Sequence, residues 1–266
     1  KNPSYWGKFP ADGSAPESAD AGKPLPLVDG VYVRVIIESQ PAWLHFKKGE
    51  IDFSSIPKDY FASAVSVIDK SKPTSVENIQ LNEELKKLGV EPYGAVSMDL
   101  TYTAFNNESV DIPQFKNKKV RQAISLAIDD RDAISLFYNG AATPAQTPIP
   151  PGINGYDPSF HNPYRTGDLE KAKKLLAEAG YPEGKGFPEI PYDLGQSTTD
   201  KEFGELVGKQ LAKLGLKVKP VVNAWPAMLK RIQNRQAQLW GIAWGADYPD
   251  AENFLQLFYG PNANPG

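Results

Sequence analysis

The side chains in this sequence whose types could do chemistry are mostly carboxylates. Asp247, Asp250 and Glu252 follow the apolar run Leu239-Trp-Gly-Ile-Ala-Trp-Gly245. That run reads as a strand, and α/β sheets place ligand sites beyond the carboxyl ends of their strands. Asp250 and Glu252 fit the cap and first turn of a helix predicted over residues 250–259. Asp247 lies upstream of that cap, between Trp244 and Tyr248. A carboxylate beside aromatic walls suits a cationic group, and a solvated turn explains the same residues equally well. Trp240 and Trp244 are four apart on one strand and so share a face, as core packing or as a stacking surface. Trp225, at a predicted helix start, reads as a packing residue. A second acidic group, Asp129, Asp130 and Asp132, falls at a helix junction, where Asp serves as a cap.

Other chemistries lack their residues. His45 and His161 are the only histidines, and neither sits in a metal-ligand spacing. With no Cys there is no disulfide, thiolate metal site, Cys nucleophile or iron–sulfur cluster. No Gly-x-Ser-x-Gly elbow occurs, and Gly184-Lys-Gly186 lacks the phosphate-loop spacing. The expectation is a protein without cofactor, metal or catalysis. A balance of 29 Lys+Arg against 32 Asp+Glu, net −3, gives no electrostatic case for nucleic acid or an anionic membrane. No apolar stretch approaches the roughly 18 residues of a membrane span.

The elements that position these residues read as α/β. The 266 residues, 41% hydrophobic with 12 Phe, 12 Tyr and 5 Trp, suffice for a substantial core. Residues 8–29 form an irregular Pro/Gly/Ala/Ser segment. Strands are predicted over 31–38 and 51–56, with helices over 42–48 and 57–65, a strand–helix–strand–helix unit. Further on come a helix over 82–88, a strand over 96–106, and helices over 117–128 and 130–138. A long Pro-rich connection, 141–167, is of the kind that is functional or crosses between domains. From 168 the alternation is regular: helix 169–179 capped by Asp168, strand 190–194, helix 199–214, strand 216–222, helix 226–236, strand 239–245, helix 250–259. This alternation argues for mostly parallel strands covered by helices.

Six segments, in order along the chain, resemble the extracytoplasmic solute-binding proteins of peptide-type ABC importers (oligopeptide/dipeptide-binding family 5). They are Asn2-Pro-Ser-Tyr-Trp-Gly7, Lys48-Gly-Glu-Ile-Asp-Phe53, Asn117-Lys-Lys-Val-Arg-Gln-Ala-Ile-Ser-Leu-Ala-Ile-Asp129, Pro144–Gly152, Leu169-Glu-Lys-Ala-Lys-Lys-Leu-Leu-Ala-Glu-Ala-Gly-Tyr-Pro182 and Gly241-Ile-Ala-Trp-Gly-Ala-Asp-Tyr-Pro-Asp-Ala-Glu-Asn-Phe254. The resemblance implies a mixed sheet flanked by helices, one lobe of a two-lobed periplasmic-binding-protein-like (class II) fold that encloses ligand between its lobes.

It also implies that residues 1–266 are a single ligand-binding lobe, the second large lobe of a longer protein, with 8–29 and 141–167 as irregular segments. The absence of an initial Met and of a signal peptide fits an excised piece. The implied partners are a peptide or other small solute, the ABC permease subunits and the missing amino-terminal lobe. The implied location is periplasmic or extracytoplasmic, with a lipid anchor open. In peptide binders of this family the Asp of the Trp-x-x-Asp segment pairs with the ligand's α-ammonium, which assigns that role to Asp247. Trp244, Ala246 and Tyr248 stand around it, and Gln196 and Ser197 offer polar contacts from the loop after the 190–194 strand. That loop, Gly195-Gln-Ser-Thr-Thr-Asp200, lacks the Arg with which dipeptide binders hold the ligand carboxylate. A longer peptide, or a non-peptide solute such as an oligosaccharide, opine or metal chelate, becomes the expectation.

Overall fold

The computed structural model describes residues 7–8, 20–72, 74–94 and 96–262. The Asn2–Trp6 part of the first matched segment lies outside the described residues. The chain divides into two compact units, residues 1–37 and 38–266. In the first, an isolated antiparallel bridge joins Lys8 to Pro24, and the Leu25 amide donates to the Gly7 carbonyl at 2.9 Å.

The second unit opens with α1 (Ser39–Lys47) and α2 (Lys58–Ala64). Gly49 ends the first turn sequence at φ 72°, a conformation that costs glycine little. Two three-residue strands, β1 (Val65–Val67) and β2 (Ile79–Leu81), pair antiparallel, and α3 (Glu83–Lys87) follows with Asn82 as its cap. Trp43, Ala64, Val65, Leu81 and Leu85 bury together as the core of this part.

The larger part contains β3 (Asp99–Phe105), α4 (Lys118–Ala127), α5 (Asp130–Phe137), α6 (Leu169–Glu178), β4 (Ile190–Leu194), α7 (Thr198–Ala212), β5 (Val218–Val222), α8 (Trp225–Gln233), β6 (Leu239–Gly245) and α9 (Glu252–Leu255). Its sheet runs β3-β6-β4-β5. β4 is parallel to both β5 and β6, whereas β3 is antiparallel to β6. The sheet is therefore mixed, as the family resemblance implies, with β4, β5 and β6 parallel as the alternation predicts and β3 antiparallel at the edge. The main core sits on one face, where Ile190, Tyr192, Leu194 and Leu239 meet Val120, Ile124, Ala172, Leu176, Val207 and Leu211 of the helices. The period-of-four apolar positions of α4 and α6 are buried here because only that stripe can leave water.

Two expected strands are absent. Residues 31–38 and 51–56 form no strand, and Val31, Tyr32, Val33 and Val35 are 77–86% exposed. A β-branched run specifies extended backbone, but its amide groups make a strand only against a partner ladder, and no described residue supplies one. The strand–helix–strand–helix unit is thus corrected to two helices followed by the β1–β2 pair. The last helix is also shorter than expected: α9 ends at Leu255 and a 3-10 turn covers Gln256–Phe258.

Candidate functional site at the carboxyl edge of the sheet

Strand register builds the site in two tiers. Leu194 and Val222 end level with each other, so residues 195–198 and 223–225 emerge together. Tyr192 stands opposite Leu239 and Asp193 opposite Trp240. β6 therefore runs four residues past the level of Leu194, about 13 Å at the usual strand rise. Its following turn, Ala246-Asp247-Tyr248, forms an outer tier. β3 meets it there, since Asp99 pairs with Gly245 and the Ala246 amide donates to the Met98 carbonyl at 3.0 Å. Trp244 at the end of β6 and Ala246, Asp247 and Tyr248 of the turn thus form the outer tier, whereas Gln196 and Ser197 sit on the recessed tier.

The outer turn has a built foundation. Trp244 and Ala246 pack against Leu100, Ile153 and Phe254, with Ala145 and Ile149 of the Pro-rich connection beside them. The long segment 141–167 is accordingly a buttress for the turn. Asn253 is 1% exposed, and its Oδ1 accepts from Trp244 Nε1 at 2.9 Å and from the Asp247 amide at 3.2 Å. Asn253 lies inside the Gly241–Phe254 segment, and only the fold reveals its contacts.

The carboxylates of this edge differ in their partners. Asp250 accepts the Glu252 amide at 2.8 Å in the turn ahead of α9, whose N-cap is Ala251 without a side-chain cap, so the expected cap at Asp250 is not formed. Glu252 accepts from the Tyr248 hydroxyl at 2.5 Å, and this hydrogen bond raises the phenol's pKa. Asp99 accepts from the Ser97 hydroxyl. A Cβ on residue 245 would lie 2.8 Å from Asp99 Oδ1, so Gly245 leaves room for this carboxylate. Asp99 is distant in sequence, and only the β3–β6 register could have revealed it. The Asp247 carboxylate is exposed and has no hydrogen bond or ion pair with a described residue.

On the inner tier Ser197 is occupied. Its Oγ donates to Asp200 Oδ2 at 2.6 Å and accepts the Asp200 amide at 3.1 Å, closing a capping box on α7. Glu38 Oε2 accepts the Thr198 amide at 3.4 Å. Gln196 is exposed. Trp225, expected to pack, is 55% exposed at the start of α8. Beneath this tier the fully buried Asp193 accepts from Arg231 Nε at 2.5 Å and Asn223 Nδ2 at 3.0 Å, tying β4, β5 and α8 together. The acidic group at 129–132 is structural. Asp129 caps α5, with Arg131 holding its carboxyl below the usual range; Asp130 pairs with Arg165, and Asp132 accepts from Gln210.

Chemically the outer tier offers a solvated carboxylate on a braced turn whose chain neighbours are Trp244, packed on the small core, and Tyr248, bonded to Glu252. That arrangement accepts hydrogen bonds from a cationic donor. Among the described residues no group of three His, Asp or Glu side chains is placed to hold a metal.

Known proteins extend this picture. The family described as bacterial extracellular solute-binding proteins, family 5 (middle), matches residues 1–266. Heme-binding protein A of Haemophilus influenzae is 30% identical over 236 residues, covering 88% of this chain and 39% of that protein. The dipeptide-binding protein of Escherichia coli is 29% identical over 164 residues, 61% of this chain and 30% of that one. The structure of the ABC transporter-associated periplasmic binding protein DppA from Helicobacter pylori, in complex with the peptide STSA, superposes with a TM-score of 0.68 at 29% identity, covering 90% of this chain and 41% of that one. The chain spans about two fifths or less of the length of these relatives. With a match over its whole length and a mixed sheet shared with a solved relative, the chain belongs to the bacterial extracellular solute-binding proteins of family 5.

Proposed function

We propose that this chain forms one wall of an extracytoplasmic receptor that captures a peptide and delivers it to an ABC permease, without catalysis. In this reading residues beyond the chain supply the facing lobe, and closure of the two encloses the ligand. Asp247 is the acceptor for the peptide's α-ammonium. The observation that carries the reading is the Asp247 carboxylate, held on a braced turn yet without a partner among the described residues. A desolvated ammonium is costly unless paired, so an enclosed cleft needs such a group. The names of relatives, a dipeptide-binding protein and a peptide complex of DppA, support the ligand class.

Trp244, Ala246 and Tyr248 shape the subsite, and Gln196 contributes a polar contact from the inner tier. Ser197 acts through the backbone it caps, because its hydroxyl is already engaged. The loop 195–200 has no basic side chain, which favours a peptide whose carboxylate is not clamped at that loop. A second reading, a metal chelate as solute, is favoured by the heme-binding relative.

A thermal-shift panel on the full-length protein separates the two readings, since a ligand that binds only the folded state raises the melting temperature. Tripeptides to pentapeptides should raise it and hemin should not. Stabilisation by hemin alone would replace the first reading with the second.

A further inference from the structure

We infer that Asn253 is the positioning residue of the outer tier, setting where the Asp247 carboxylate stands by fixing the two groups on either side of it. The inference rests on the proposed role of Asp247 for its functional meaning. Its structural content rests on Asn253 alone.

One side-chain oxygen takes both available donors of the turn. Trp244 Nε1 reaches it at 2.9 Å and the Asp247 amide at 3.2 Å. Both donors are fixed N–H groups, so the oxygen must face them; the reverse orientation of the amide would set donor against donor. Trp244 is thereby locked against rotation on the sheet, and the main chain at Asp247 is locked beside it. The carboxylate of Asp247 hangs from that main chain, and a turn left free would let it wander from the cleft.

The same side chain has a further contact in the turn. Asn253 is 1% exposed, and its side chain also meets the Tyr248 phenol, whose pKa that contact lowers against the raising effect of Glu252. The position follows from α9. This short helix starts after the Asp250 turn, and its residue 253 faces inward beside Phe254, the anchor of the small core behind Trp244.

The oxygen's role predicts a pattern across substitutions. Asn253→Ala removes the acceptor from both donors. Asn253→Asp keeps an oxygen facing both donors, loses the amide donor and brings a carboxyl group into a buried position. Two readouts on the full-length protein separate the inference from the ammonium reading. The first, hydrogen exchange at the Trp244 indole and the Asp247 amide, needs no ligand. Protection should fall in Asn253→Ala and persist in Asn253→Asp. The second is the ratio of affinities for tri-alanine and N-acetyl-tri-alanine. That ratio should fall about tenfold in Asn253→Ala and be kept in Asn253→Asp.

If both protons stay protected in a folded Asn253→Ala protein, Asn253 does not position the turn and the inference is wrong. If protection is lost while the ratio is kept, Asn253 braces the turn without setting the subsite, and the inference is again overturned. Should Asn253→Ala not fold, Asn253→Asp decides: retained protection and ratio support the inference, loss of either refutes it. A wild-type protein that binds both peptides equally defeats the ammonium reading instead, and the exchange readout still judges Asn253.

Discussion

Asp247 is set apart from its acidic neighbours by what its oxygens touch. Asp250, Glu252 and Asp99 each accept a hydrogen bond from the protein, and the Asp247 carboxylate accepts none from a described residue. Asp247→Asn keeps the shape and removes the charge, so it should weaken free-amine peptides by roughly 10- to 100-fold. N-acetylated peptides should be unaffected, as competition binding would show. A second residue-level consequence concerns Tyr192. Burial pushes its phenol up to about 12. The unfolded chain ionises this group near its ordinary value of about 10, while the folded chain resists until about 12. Stability is therefore complete below the lower value and lost as pH rises through the upper one. Denaturant melts across that window should show a steeper loss for wild type than for Tyr192→Phe. Part of the site was legible at this scale. Asp247 announced itself through its aromatic flanks and the family resemblance. Asn253 did not, because hydrogen bonds that a buried side-chain oxygen accepts from residues six and nine positions earlier leave no trace in hydropathy.

The elements that hold these residues depend on close approach. β6 passes over Tyr192 at Gly241, where a Cβ would lie 2.6 Å from the phenol oxygen. Gly241→Ala should cost about 1–3 kcal/mol through forced displacement, measurable by chemical denaturation. The Pro-rich connection is the other support. Ile153 is buried in the small core with Leu100 and Phe254. Ile153→Ala should destabilise by about 2–5 kcal/mol and weaken peptide binding as well, whereas a connection that merely links helices would leave affinity unchanged. Helices were the legible elements. Asp129 and Asp168 cap as the sequence indicates, and Asn82 and Asn117, expected as first helical residues, also cap, each accepting a backbone amide of its helix's first turn. Strands were legible only where a neighbour exists. The 31–38 run has the right composition but no partner strand among the described residues, while β1 and β2 are three residues each, too short to show a period.

At the scale of the whole molecule, residues 38–266 hold separate cores. One gathers around Trp43 and Leu85, another beneath the mixed sheet, and a third under the candidate site. Charged groups join the first region to the second, among them Lys58 with Glu202 at 3.0 Å. Those contacts and the neighbouring Asp59 raise the Lys58 pKa, the Glu202 hydrogen bond foremost. If Asp247 reads a free α-ammonium on a captured peptide, isothermal calorimetry of the full-length protein should separate tri-alanine from N-acetyl-tri-alanine. The free amine should bind tightly and the acetylated peptide at least about tenfold more weakly. Equal affinity for the two would contradict that role of Asp247.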